Sequence, residues 1–421
     1  MKVVCFGPGP QFKGGISNYN TSLAKAFDSL GFETHIVSWT QQYPAIIPRE
    51  FLDKSSKKNV LENTSIQTHY ITNYNNPFTW KKTIDLIIKI NPDKIIFQWA
   101  IAIQGLPLGY IAQRLIKKGF DVVFDLHFVI QKEHSSIDKI FTKYGLSKST
   151  SYVAHAYKTV DELKILFPDK KLIVNTSGNA VNDDEIRVVK LYHPIYDMFK
   201  VDDNFDVEAF KKAHNLRENV FLFFGFIRKY KGLHNVIQAF KKVAEQRNDV
   251  SLIICGESFW QTLDNTKVST KIKNALFGMA KRILLKNTDD ERNYNPLGLL
   301  KSLQLGDSVY VKNEFVANED VHKYFQSSNA VVLFYEYATP SGVESIGYNF
   351  NMPILATRVG HFPETIIDGE NGYLANANDI EDMAAAMFKY LKNPIPKLNV
   401  AKTAENMSWR NYALAIVADK N

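Results

Sequence analysis

The stretch Val220-Phe221-Leu222-Phe223-Phe224-Gly225-Phe226-Ile227-Arg228-Lys229-Tyr230-Lys231-Gly232-Leu233 decides how the rest of the chain is read. Its first five residues are apolar without a break, the pattern of a strand buried on both faces, and Gly225 ends the run. A loop with three cations follows, and Leu233 to Glu245 then carries apolar residues at helical spacing. Val250 to Cys255 is a second buried strand, closed by Gly256. Strand, helix and strand in this order make a parallel crossover unit.

Working outward, Ser308 to Val311, Ala330 to Tyr335 and Met352 to Thr357 read as further strands of the same sheet. The pattern also occurs earlier in the chain. Lys2 to Phe6 reads as a strand that runs into Gly7-Pro8-Gly9-Pro10 and Gly14-Gly15. A helix is expected from about Ser17 to Leu30, with Leu23, Phe27 and Leu30 on one face and Gly31 as its stop. Glu33 to Trp39, Lys94 to Trp99 and Asp121 to Leu126 are strands, with a helix from about Gly109 to Lys118 before the last. Asp379 to Lys392 and Ser408 to Val417 read as helical. The expected fold class is α/β, with two doubly wound Rossmann-like domains. The first covers residues 1–195 and the second 196–400, the break falling at His193-Pro194. A terminal helix within 401–421 is expected to cross back to the first domain.

A chain of 421 residues agrees with this division, since domains usually run to ~100–200 residues. Apolar residues at 45% and charged residues at 23% are globular values and exclude disorder as the main state. Two cysteines, Cys5 and Cys255, exclude a disulfide scaffold and read as buried thiols of a reducing compartment. No apolar run reaches the ~18 residues of a membrane helix, and the start of the chain is too short on apolar residues for a signal peptide. A cytoplasmic protein is expected, peripheral at the inner membrane face if it meets lipid at all. The net charge of +7 suits anionic small molecules or a membrane surface. No basic stripe with interleaved aromatics speaks for nucleic acid.

Residues 258–307 exceed what two adjacent strands need, and read as an insertion. Within it, Lys267 to Lys286 carries six cations and no acid, with Ile272, Leu276, Met279 and Ile283 at helical spacing. Such a segment either lies on an anionic membrane or packs its stripe on the domain.

In doubly wound sheets ligands bind beyond the carboxyl ends of the strands, so the residues there are the candidates. Gly14 and Gly15 precede a helix and let backbone N–H groups approach a phosphate; an ordinary tight turn has the same look. Arg228 and Lys231 in the cationic loop suit a diphosphate leaving group. Glu336 ends a strand, and Ser341-Gly342-Val343-Glu344 opens a helix; paired carboxylates accept hydrogen bonds from sugar hydroxyls. His127, in Asp125-Leu126-His127 and followed by Glu133-His134, sits at a strand end and is able to donate to a phosphate or sugar oxygen. The histidine spacings suggest no zinc site.

Together these stretches resemble the retaining glycosyltransferases of the GT-B type, family 4. The resemblance is strongest at Gly14-Gly15-Ile16, at Gly225 to Gly232, and from Ser341 to Leu374. In that last stretch Pro353-Ile354-Leu355-Ala356-Thr357-Arg358-Val359-Gly360, Pro363-Glu364 and Asp368-Gly369-Glu370-Asn371-Gly372-Tyr373-Leu374 keep the family's order. His127, Glu133-His134, His193-Pro194-Ile195-Tyr196 and Gly256-Glu257 recur in a bacterial branch of it. The resemblance implies two domains facing across a cleft and a nucleotide diphosphate sugar as co-substrate. It implies a glycan or lipid-linked acceptor, and no cofactor or metal. It implies that Gly14, Gly15 and Lys231 face the donor diphosphate, Phe315-Val316 the base, Glu336 the sugar hydroxyls, Glu344 the ribose and His127 the transferred sugar. It also implies same-face attack, with the departing phosphate taking the acceptor proton.

Three departures stand out. Phe226 occupies the place of the family's arginine, leaving Arg228 as its replacement. The second glutamate is counted to Glu344 forward from Glu336, but to Ile346 backward from Pro353; an extra turn or bulge within Tyr348-Asn349-Phe350-Asn351 reconciles the counts. Gly360-His361 stands where two glycines are usual. Two alternatives to hexosyl transfer share the fold: an epimerase or phosphorylase, and a sugar-nucleotide or glycan-binding protein without turnover.

Overall fold

The structure is a computed structural model that describes residues 1–44, 51–54, 59–129, 136–175, 185–258, 294–338, 340 and 342–418. The described residues fall into two units. One comprises those of Met1–Tyr192 and Trp409–Asn421; the other comprises those of His193–Leu263 and Asp289–Ser408.

The first unit is built on a sheet of eight strands: β1 (Lys2–Phe6), β2 (Glu33–Gln41), β3 (Gln67–Asn73), β4 (Lys94–Trp99), β5 (Val122–Leu126), β6 (Ser151–Ala154), β7 (Lys171–Asn175) and β8 (Glu185–Lys190). Their spatial order is β3-β2-β1-β4-β5-β6-β8-β7, and every pairing is parallel. The order reverses direction between β1 and β4. Right-handed crossovers therefore carry helices to opposite faces on the two sides of that point, and leave a crevice beyond the strand ends there. Phe6, Trp39, Phe97 and Phe124 pack in a row across the central strands, with ring centroids 5.3, 4.9 and 5.2 Å apart for Phe6–Trp39, Phe6–Phe97 and Phe97–Phe124, the middle pair edge-to-face.

The second unit has six parallel strands: β9 (Asn219–Phe224), β10 (Val250–Cys255), β11 (Val309–Lys312), β12 (Ala330–Leu333), β13 (Ile354–Thr357) and β14 (Gly372–Ala375). Their order, β11-β10-β9-β12-β13-β14, reverses between β9 and β12. The expected strands of both sheets are present within two residues of the ends read from sequence, and both domains are doubly wound α/β.

The helix expected from Gly109 begins earlier and spans Gly105–Ile116. Gly105 and Gly109 do not break it because a second helix, Ser136–Leu146, lies against them. A Cβ on Gly105 falls 2.3 Å from the Phe141 carbonyl oxygen, and one on Gly109 falls 2.7 Å from Tyr144 Cε1. A further helix, Lys397–Glu405, precedes the one expected from Ser408 to Val417, which spans Trp409–Val417 and belongs to the first unit. Its C-terminal carbonyls are held by cations: Lys94 Nζ donates to Ile416 O at 3.3 Å, and Arg187 Nη1 to Ala418 O at 2.8 Å. The core of the expected insertion, residues 259–293, lies outside the described residues, and the candidate membrane segment Lys267 to Lys286 lies within it.

Candidate active site

In the second unit the strand order reverses between β9 and β12, and the loops after these two strands are tied together. Gly225, next after β9, has φ +93°; a Cβ there falls 3.0 Å from Lys231 Nζ and 3.3 Å from Val343 Cγ2. A side chain at Gly225 is excluded by conformation and by the lysine end that occupies its space. Gly232, at φ +63°, leaves no room either, since its Cβ falls 2.1 Å from the Phe334 carbonyl oxygen. The Glu336 N–H donates to Tyr230 O at 2.8 Å. The cationic loop and the first candidate carboxylate are thus fixed to one another through the backbone.

Lys231 is only 9% exposed. Burial pushes its ammonium down to about 8, and the Arg228 guanidinium beside it pushes the same way. Among the described residues no carboxylate pairs with Lys231; its ammonium lies 5.8 Å from the centroid of the Tyr335 ring. A buried cation with a like charge beside it is costly unless an anion completes the site. Arg228, two residues from the family's usual arginine position, therefore shares a location with Lys231.

Glu336 is partly buried, and its Oε1 lies 3.3 Å from His234 Nε2. His234 Nδ1 is in turn 3.0 Å from the Tyr294 hydroxyl. Burial lowers the His234 pKa, Lys229 adds to that, and Glu336 opposes it. The sequence reading missed His234 and Tyr294. The position of His234 as second residue of helix Leu233–Ala244, just past the cationic loop, was the available signal.

Phe315 and Val316, both half-buried, follow edge strand β11, two strands out from β9. Gly342 opens helix Gly342–Asn349 and packs on Tyr196, where a Cβ falls 2.8 Å from Tyr196 Cε2. His193 anchors the same helix, with Nδ1 2.7 Å from Ser345 Oγ. Ser341 lies outside the described residues, as do Glu133 and His134.

Glu344 is 3% exposed and both its oxygens are engaged: Oε2 with His361 Nε2 at 2.5 Å, and Oε1 with Thr365 Oγ1 at 2.5 Å. His361, which departs from the usual glycine pair, thus meets the glutamate whose count is in question. No bulge interrupts the helix at Tyr348 or Asn349. The helix runs unbroken to Asn349, and Asn351 ends it at φ +53°, with Met352 N–H donating to Gly347 O at 2.9 Å. That is an ordinary left-handed helix stop, for which asparagine is well suited.

In the first unit the order reverses between β1 and β4. Gly14, at φ +104°, caps helix Gly15–Ser29 without a side-chain cap, and the space where its Cβ belongs is open. Gly7 and Gly9 serve packing instead: Cβ atoms there fall 2.7 Å from Gln98 Cγ and 2.8 Å from the Tyr70 hydroxyl.

Asp125, fully buried on β5, is a hub the sequence reading did not identify. Its Oδ1 accepts from the Tyr412 hydroxyl at 3.1 Å and lies 2.7 Å from His155 Nε2; its Oδ2 accepts from the Tyr19 hydroxyl at 3.0 Å. Burial alone raises its pKa, but His155, His127 and Tyr19 together hold the carboxyl below the usual range. Tyr412 comes from the C-terminal helix, a separation no local motif reveals. His127 Nε2 is 2.8 Å from Gln98 Oε1. Burial is the main reason its pKa falls to about 3; Asp125 opposes the fall and His155 adds to it. The neutral ring donates from Nε2 to Gln98, so toward a ligand it keeps Nδ1 as an acceptor, where the sequence reading expected a donor.

The family model of group 1 glycosyl transferases matches residues 204–408. N-acetyl-alpha-D-glucosaminyl L-malate synthase of Bacillus anthracis is 21% identical over 318 residues, covering 74% of this chain and 69% of that protein. Among solved structures, sucrose-phosphate synthase of Thermosynechococcus elongatus superposes with a TM-score of 0.63 at 15% identity, over 99% of this chain and 97% of that one. Anabaena HepE in complex with UDP-glucose gives 0.62 at 14% identity, with the same coverage. At these identities the solved structures speak for the fold. No helix among the described residues is long and apolar enough to cross a membrane. Residues 204–408 thus match the group 1 glycosyl transferases, and the two parallel-sheet units are those of the GT-B fold.

Proposed function

We propose that the chain is a retaining, metal-independent hexosyltransferase that moves a hexose from a nucleotide diphosphate sugar to a glycan or lipid-linked acceptor. One observation carries the reading: Lys231 is buried beside the half-buried Arg228 at the β9–β12 reversal, with no carboxylate on Lys231 among the described residues. A departing diphosphate is the anion such a pair suits, and fixed cations stabilise the charge that grows on it. Glu336, tied to the same loop, accepts from donor-sugar hydroxyls. Phe315 and Val316 lie along the base, and Gly342 and Val343 begin the helix beside the phosphates. In the first unit Gly14 and Gly15 offer a helix N-terminus to phosphate, and His127 offers an acceptor nitrogen to a sugar hydroxyl.

In the reaction the bond from the acceptor oxygen to the anomeric carbon forms as the carbon–phosphate oxygen bond breaks. The phosphate leaves on the same face and carries away the acceptor proton. Glu344 is kept as the candidate ribose contact through the lone pairs that His361 and Thr365 leave it. Its test compares ribo- and deoxyribo-nucleotide affinity in the wild type and Glu344→Gln. The proposed setting is cytoplasmic, peripheral at the inner membrane face, where a nucleotide sugar meets a lipid-linked acceptor.

A panel of nucleotide sugars, assayed for released nucleotide with and without acceptor, tests the whole reading. UDP-glucose comes first, because HepE is seen with it. Acceptor-stimulated release with retained anomeric configuration supports it. Conversion without release, or binding without turnover, overturns it in favour of an epimerase or a binding protein.

A further inference from the structure

At the carboxyl ends of β6 and β8 the first unit carries an arrangement that the roles above do not use. Lys190, the last residue of β8, has its ammonium 4.6 Å from the centroid of the Tyr157 ring and 3.3 Å from that of Tyr192. The lysine is buried, yet Tyr157 is 53% exposed and Tyr192 37%. A cation over one face of each ring pins both. Tyr157 opens helix Tyr157–Leu166 three residues after β6, and the Leu191 N–H donates to Ala154 O at 2.9 Å, so the backbone beneath is fixed too. Two partly exposed rings held over one cation lose little further entropy when a ligand lies on them.

We propose that Tyr157 and Tyr192 form a stacking platform for a saccharide ring of the acceptor. A pyranose has a face of C–H bonds whose partial positive charge meets the negative face of an aromatic ring. Its hydroxyls stay at the rim, within reach of water and the phenol oxygens. The lysine is buried, so the site offers no open cation to a phosphate. The strand order β5-β6-β8 puts the platform two strand spacings, roughly 10 Å, from the β5 end that carries His127, a span that a short oligosaccharide bridges. The inference rests on the proposed transfer reaction and gives its acceptor a subsite.

The test uses the intact protein with maltose, cellobiose and chitobiose as probes, followed by saturation-transfer NMR and titration. Donor hydrolysis without acceptor is measured alongside. At least one disaccharide is expected to bind, with affinity falling about tenfold in Tyr157→Ala and in Tyr192→Ala and holding within about threefold in Tyr157→Phe. Failure of all three probes to bind the wild type, or alanine variants that bind as the wild type does, overturns the platform. Ring-dependent disaccharide binding with no donor hydrolysis from any nucleotide sugar leaves the platform standing and removes the transfer reaction. Donor hydrolysis with ring-independent binding removes the platform alone.

Discussion

The two sheets end in opposite ways. At the ends of β5 and β6, one buried carboxylate, Asp125, meets Tyr19, His155 and Tyr412, all within the unit. At the ends of β9 and β12, Lys231 and Arg228 lie together, and among the described residues no carboxylate answers Lys231. Elementary electrostatics assigns these two ends different tasks. A buried hydrogen-bonded network holds structure in place, whereas a buried cation that no described carboxylate answers stores a preference for an incoming anion.

Removing the hub and removing the cation are therefore expected to fail differently. Asp125→Ala leaves His155 buried without its carboxylate, and a loss of about 3–5 kcal/mol in denaturant unfolding is expected. A loss below about 1 kcal/mol would show that the network contributes little. Lys231→Met is expected to cut turnover by ~10²–10³ while the melting temperature stays level or rises, because a buried charge that no described carboxylate answers has gone. A variant that melts early and turns over normally would erase the contrast between the two ends.

Glu336→Gln sharpens the comparison within the second unit. The variant keeps the loop but loses a charged acceptor, so its cost depends on the donor sugar. Kinetics with donors differing at one hydroxyl should show unequal losses; equal losses would detach Glu336 from the sugar. The smallest effect is expected at His234, whose Nε2 lies 3.3 Å from Glu336. His234→Ala should lower kcat/KM by only about three- to tenfold, since it removes one hydrogen bond that orients the carboxylate. A loss as large as that of Lys231→Met would move His234 into the reacting centre.

The fold was legible where strands are buried on both faces. β4, β5, β9 and β10 are continuous buried runs, and glycines close β9 and β10. β3 escaped because it is a half-buried edge strand with no apolar run, and β6 because its four residues are too few to show a period. Gly105 and Gly109 misplaced a helix start, since a close helix neighbour, invisible in sequence, overrides their local effect. In the site, Lys231 and Glu336 could be read because each follows a strand at the reversal. His234, Tyr294, Tyr412 and the His361–Glu344 contact could not, since they depend on residues brought together from distant parts of the chain.

The central claim is that Lys231, depressed to about 8 by burial and Arg228, awaits the donor diphosphate. A bound diphosphate stabilises the charged ammonium and raises its pKa, so binding near pH 8 must draw a proton from solution. Calorimetric titration with UDP, ADP and GDP, in buffers of different ionisation enthalpy, measures that proton directly. The wild type is expected to take up about half a proton at pH 8 with the nucleotide it binds, less at pH 7, and none in Lys231→Met. Uptake that is absent in the wild type, or unchanged in the variant, would contradict the assignment of Lys231 to the diphosphate.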